Sequence, residues 1–270
     1  MRPMNLFRMY RHFVAIYVKG KMAYHFSLVF EMVANTILIG VYIAGFMVIF
    51  NNFDGIAGWN KNQVLFMFTS SWFTYSLSGF FFWRPMKDMG ELVRTGKFDL
   101  YLTRPINPLL YMVLQQFKYT FIPRLGLAAF FWLHSMRRLC IDWNFLSVFL
   151  YALNMISAFV IFSAITIFTG TISFWTVKTE EIASLLTNNN YGLKNYTDYP
   201  LAIYSKGMQF LLTFVLPYAF TGYYPVALLL GKSVSFPALR FASPLVALVA
   251  GIGSVSFWRF GLKHYGSAGA

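Results

Sequence analysis

The chain has 270 residues, 58% hydrophobic and only 11% charged, with a mean hydropathy of +0.56. Soluble domains carry about 25% charged residues, so this composition excludes a water-soluble globule and makes the lipid bilayer the solvent. Lys and Arg number 22 against 9 Asp and Glu, a net charge of +13; in a membrane protein that excess serves orientation and contact with anionic lipid, not nucleic acid.

In chain order, residues 1 to 23 mix Met4, Phe7, Met9, Tyr10, Phe13 and Tyr17 with Arg2, Arg8, Arg11 and Lys19. That mixture predicts a basic amphipathic helix lying on the inner leaflet. The apolar run that follows is long enough to span, and no small-residue cleavage site closes it, so it reads as a retained span and not a signal peptide. A crossing needs roughly 20 apolar residues. Such runs occur at about 30 to 50, 63 to 83, 145 to 174 and 241 to 258. A poorer one, 116 to 136, contains Lys118, Pro123 and Arg124 and is expected to be kinked or partly interfacial. Between the last two clear runs, residues 177 to 232 hold a polar stretch followed by an apolar run from Phe210 to Leu230. The expectation is an all-α integral membrane protein with six transmembrane helices in a single domain over 1 to 270.

Three spans end alike, at Phe82-Trp83-Arg84, at Phe174-Trp175 with Lys178 following, and at Phe257-Trp258-Arg259. Tryptophan beside a cation reads as an interface anchor. Fifteen of the 22 basic residues fall in 1 to 23, 84 to 106, 175 to 206 and 259 to 270. That asymmetry predicts that both termini are cytosolic.

Enzyme chemistry has no visible carrier. His12, His25, His134 and His264 show no metal-binding spacing, and Cys140 stands alone, so neither a metal site nor a disulfide is implied. Glu180 and Glu181 are neighbours that point about 100° apart on a helix. Gly231-Lys232-Ser233 looks like the tail of a phosphate-binding loop, but Val226 stands where that loop needs glycine. No catalytic residue, metal or nucleotide cofactor is therefore expected in this chain. The tripeptide Asn195-Tyr196-Thr197 reads as a chance glycosylation sequon. Charges inside spans are expensive, which singles out Glu31, Lys118 and Arg124. Glu31 reads either as an interface residue near the cytosolic end of span one or as a buried partner of Lys118 or Arg124, with cargo contact least favoured. Ser243, Ala247 and Gly251 recur at four-residue spacing, which lets a neighbouring helix approach closely.

Several ordered blocks carry a resemblance. Gly96-Lys97-Phe98-Asp99-Leu100-Tyr101-Leu102-Thr103-Arg104-Pro105-Ile106-Asn107-Pro108-Leu109 resembles the G-x-x-D-x-x-L-x-R-P-x-x-P-L signature of an ABC-2-type permease family. Tyr199-Pro200-Leu201, Leu216-Pro217-Tyr218, Tyr223-Tyr224-Pro225, Leu230-Gly231-Lys232 and the closing Trp258 to Gly269 stretch extend it over most of the chain after about residue 80. The first span matches only in character.

The resemblance implies the membrane subunit of an ABC exporter in the cell membrane: six helices per subunit, a second permease subunit, identical or a paralogue, and two separate ATPase subunits that bind ATP and Mg. It names no cargo. Such an exporter needs a cytosolic element that transmits ATPase closure. Residues 84 to 106 hold one in Pro85 to Gly96, with Met86, Met89, Leu92 and Val93 forming an apolar stripe while Glu91 and Arg94 face elsewhere. Two arrangements of 177 to 232 stay open. Hydropathy makes 179 to 206 a cytosolic loop and 208 to 230 the fifth span, and is slightly preferred. Analogy with the broader family begins the fifth span near Ile182 and makes Pro200 to Lys232 an external re-entrant hairpin. In the second case Asn188 and Asn189 line the translocation path and Tyr218, Tyr223 and Tyr224 form an outer aromatic gate. The competing reading of the whole chain is a membrane-embedded scaffold or channel-like protein acting without ATPase subunits.

Overall fold

The computed structural model describes residues 25–52, 55–116, 118–139, 141–176, 180–188, 192–234 and 236–266. The interfacial helix expected over 1 to 23, and Cys140, Lys178 and Asn189, lie outside them. Eleven α-helices follow one another among the described residues: α1 (His25–Asn52), α2 (Lys61–Lys87), α3 (Met89–Arg94), α4 (Asp99–Leu102), α5 (Pro108–Gln115), α6 (Phe121–Arg138), α7 (Phe145–Thr171), α8 (Glu180–Thr187), α9 (Lys206–Phe210), α10 (Tyr223–Leu229) and α11 (Ser243–His264). Three stretches are long and apolar enough to cross a membrane: Val29–Val48, Phe145–Phe174 and Ser243–His264. The chain is an all-α membrane protein in character.

Local chemistry sets the boundaries. Between α1 and α2 the two-residue strands β1 (Gly55–Ile56) and β2 (Trp59–Asn60) pair across Ala57 and Gly58, at φ 50° and 80°; two positive φ values are what a type I′ hairpin turn requires. Asn60 then opens α2 with a reciprocal cap: its Oδ1 accepts from the Gln63 amide at 3.0 Å while Gln63 Oε1 accepts from the Asn60 amide at 3.1 Å. Asn144 caps α7 through the Ser147 amide at 2.8 Å.

α2 has 27 residues, about 40 Å of helix, ample to cross a bilayer. Its hydropathy is lowered by Thr69, Ser70, Ser71, Thr74, Ser76 and Ser78, which point to several sides of the helix and are all buried. The helix is polar where it meets its neighbours. In α6 the expected kink has no cause: Pro123 sits in the first turn, where its missing amide hydrogen is not needed, and Lys118 precedes the helix.

Contacts order the elements along α2. Trp132 of α6 stacks on Phe73 and Phe121 meets Tyr75, so α6 runs antiparallel to α2. α11 packs along α7 in parallel, with Ser243 and Ala247 buried and Gly251 facing Val160. One end of the bundle therefore holds Gly58, Asn144 and the start of α11; the other holds Lys87, Phe121 and His264.

An unbroken helix over 208 to 230 is not formed. α9 passes into a π-helical stretch (Leu211–Val215), then a 3₁₀ stretch (Pro217–Thr221), then α10. Pro217 and Pro225 withhold amide hydrogens, and Gly222 adopts φ −148°, ψ −56° between the pieces. The Tyr218 hydroxyl donates to the Leu186 carbonyl at 2.6 Å, deep in the bundle, whereas the Lys232 ammonium donates to the Gly58 carbonyl at 2.8 Å at its end. From Tyr218 to Lys232 the segment thus runs from within the bundle to its Gly58 end. Nor is 179 to 206 a loop free of the bundle: Lys194, Thr197 and Asp198, on a 3₁₀ stretch (Leu193–Asp198), are buried against α1 and α2.

Tryptophan 258 also departs from expectation. It is 1% exposed, edge-on to Phe98 and tilted against Phe174, so it fills a core instead of meeting headgroups.

Candidate functional site

Three groupings gather the polar and charged residues. The first is built on the hydroxyls of α2. Ser70 Oγ donates to the Phe66 carbonyl and lies 2.7 Å from the Tyr151 hydroxyl, which accepts from Trp132 Nε1 at 2.9 Å. Ser78 and Ser163 hydroxyls meet at 3.0 Å. Where lipid provides no competing partner, such bonds hold helices together at about 0.6 to 2 kcal/mol each.

The second starts from another of these hydroxyls. Ser71 Oγ donates to Thr197 Oγ1 at 3.2 Å, and Thr197 Oγ1 to Asp198 Oδ1 at 3.4 Å. Asp198 in turn pairs with Lys194 Nζ at 2.8 Å, with side chains 1% and 0% exposed. The Tyr42 hydroxyl of α1 reaches both Asp198 and the Asn195 amide oxygen. A phenol has one proton, and the carboxylate is the stronger acceptor. Above the ammonium, the Tyr75 ring lies 5.1 Å from Nζ, a cation–π contact. Sequence reading treated Lys194 and Asp198 as parts of a polar loop. The signal that marks them is their four-residue spacing in a chain with few charges.

The third is a pair of cavities near the Lys87 end. The larger, about 310 Å³, is walled by Trp83, Met86 and Lys87 of α2, Thr166 and Thr169 of α7, and Glu181, Ala183, Ser184 and Thr187 of α8. The smaller, about 100 Å³, is walled by Asn35, Tyr75, Thr120 and Phe121 with the cations Lys118 and Arg124. Trp83 and Asn188 line both, so the two chambers are neighbours. Thr166, Thr169 and Thr187 spend their hydroxyl protons on carbonyls of Phe162, Thr166 and Ala183. Their oxygens are left as acceptors.

The sequence-singled residues fall out as follows. Glu31 accepts from the Tyr119 hydroxyl, and among the described residues it forms no ion pair with Lys118 or Arg124. Asn188 is half-buried and lines both chambers. Tyr218, Tyr223 and Tyr224 are buried in the hydrophobic core; Tyr223 faces Trp59, and Tyr224 tilts against Phe220.

The segment joining α2 to α6 forms a smaller core of its own. Met86 and Met89 are buried there with Phe98, Tyr101, Met112, Ile167 and Trp258, and Leu92 and Val93 pack partly against it. A Cβ at Gly170 would lie 2.7 Å from Met86 Sδ, so only glycine lets α7 come this close. The Tyr265 hydroxyl donates to Asp99 Oδ1 at 2.9 Å and Gln116 Nε2 to the Tyr101 hydroxyl at 2.9 Å, fastening the segment to the end of α11 and to its own exit. The expected stripe is therefore an inward face. Glu91, Arg94, Lys97 and Arg104 are exposed, together with Leu100 and Leu102. Asp88 lies 3.6 Å from Arg84, yet partial burial raises its carboxyl above the usual carboxylate range against the pull of Arg84 and Lys87.

Neither curated proteins nor solved structures give a match to the chain. A family model described as an ABC-2 family transporter protein matches residues 36–269. The similarity thus begins inside the first span and not only after residue 80.

Proposed function

The chain belongs to the ABC-2 transporter family, and from that premise we propose that it is the permease subunit of an ATP-driven exporter. It crosses the cell membrane six times with both termini in the cytosol. α1, α2, α6, α7 and α11 make five crossings, α8 and the 3₁₀ stretch Leu193–Asp198 belong to the remaining one, and residues 206 to 232 form a hairpin re-entering from outside. Two such permease subunits, identical or paralogous, enclose the path, and two ATPase subunits bind ATP and Mg on the cytosolic side. Supporting this sidedness are the 84 to 106 segment, which carries five of the 22 basic residues, and the return of Lys232 to the Gly58 turn.

One observation carries the reading: the family match spans nearly the whole bundle. The exposed side of the 84 to 106 segment, with Glu91, Arg94, Lys97 and Arg104, is the surface offered to the ATPases. A tagged chain purified from its native membrane should bring an ABC ATPase subunit with it. ATP hydrolysis should belong to that complex and be missing from the permease alone. A chain that performs its transport in cells lacking every partner ATPase would favour the scaffold or channel reading instead.

A further inference from the structure

The paired chambers are unequal in charge. In the smaller one, Lys118 Nζ lies 5.6 Å from the Trp83 ring and 5.9 Å from the Phe121 ring, and Arg124 Cζ lies 5.3 Å from the same Phe121 ring. Two cations thus share one aromatic ring, both half-buried. Among the described residues no carboxylate comes within ion-pair distance of either. The carboxylates of Glu31, which accepts from Tyr119, and of Asp88 act on Lys118 from beyond that distance, and neither lines a chamber. Lys87 adds a third positive charge at the larger chamber, where Glu181, exposed, is the one acid among the described lining residues.

Partly desolvated like charges repel each other more strongly than in water, and aromatic faces relieve only part of that cost. An anion placed between them would relieve the rest. The Trp83 and Phe121 rings stand beside the cations and Met86 lies along the larger chamber, surfaces that fit an apolar or aromatic body. The geometry points to a binding site for an organic anion: its acidic group sits between Lys118 and Arg124, and its aromatic or apolar body extends past Trp83 into the larger chamber. Calling this ligand the cargo rests on the permease reading above; the binding site itself does not.

The test uses the purified chain, with its partners if they co-purify, in nanodiscs of zwitterionic lipid. Pyrene-1-sulfonate and 1-pyrenemethylamine share one ring system and differ in charge, and both accept excitation energy from tryptophan. The sulfonate should bind about tenfold more tightly than the amine. K118Q/R124Q should abolish that preference, and K118R/R124K should keep it. Equal affinity for the two probes in the unaltered protein would overturn the proposal without needing any variant. So would a sulfonate preference that survives K118Q/R124Q in protein with unchanged helicity. Failure of an ATPase to co-purify would count against the permease reading alone, leaving the probe result to judge the site.

Discussion

Lys194 and Asp198 stand 2.8 Å apart with almost no exposed surface, and their pairing sets up a test at the level of single side chains. Removing one member of a buried pair leaves the other charged and unsolvated, a cost of about 3 to 5 kcal/mol, whereas replacing both by apolar residues is often neutral or stabilising. Asp198→Asn and Lys194→Met should each lower the thermal melting point in detergent, and Lys194→Met with Asp198→Leu should recover most of the loss. Single variants that melt with the unaltered protein would show that the pair is not held as described. Asp88 behaves in the opposite sense. Its raised carboxyl pKa means the fold favours the neutral acid, so its stabilising contribution is full below its unfolded pKa and is lost as pH rises through its folded pKa. Asp88→Asn should therefore not destabilise at pH 7 and should flatten that part of the stability–pH curve, read by melting at stepped pH.

Among the elements, α3 separates packing from docking. Met89 is fully buried with Phe98 and Trp258, while Glu91 and Arg94 point away from that core. Met89→Ala should cost about 2 to 5 kcal/mol and reduce the amount of folded protein. Glu91→Lys with Arg94→Glu should leave that amount unchanged and weaken capture of the ATPase or its coupling to transport. Equal ATPase capture by the charge-reversed protein would move the contact elsewhere on the segment. The amphipathic pattern of 85 to 96 was legible in the sequence. Which side faced a partner was not, because an apolar stripe looks the same whether it meets another subunit or its own chain. α1, α7 and α11 were legible for a simpler reason: length and apolar composition are all that a lipid-facing helix needs. The apolar run from Phe210 to Leu230 met the same criterion and misled, since hydropathy records composition and not the path of a backbone interrupted at Pro217, Gly222 and Pro225. The charged chamber stayed hidden because Trp83 and Asn188 stand far along the chain from Lys118 and Arg124 and meet them only after folding.

For the whole molecule, the proposed sidedness is open to labelling. With Cys140 replaced, a cysteine at Gly58 should react with an impermeant reagent in intact cells, and one at Ala270 only after permeabilisation. Outside labelling at Ala270 would sink the six-crossing arrangement. The broken hairpin has a consequence for how the chain is made. A ribosome-bound chain hands helices to the lipid one at a time, and each must satisfy its own backbone before it leaves the insertion machinery. Residues 206 to 229 cannot do so: the π and 3₁₀ pieces and the two prolines leave amides and carbonyls that only neighbouring segments or water can satisfy. Tyr218 is seated against Phe162 of α7 and the Leu186 carbonyl of α8, and the Thr221 hydroxyl lies 3.5 Å from that of Ser71 on α2, so this stretch can take its folded form only once α2, α7 and α8 stand together.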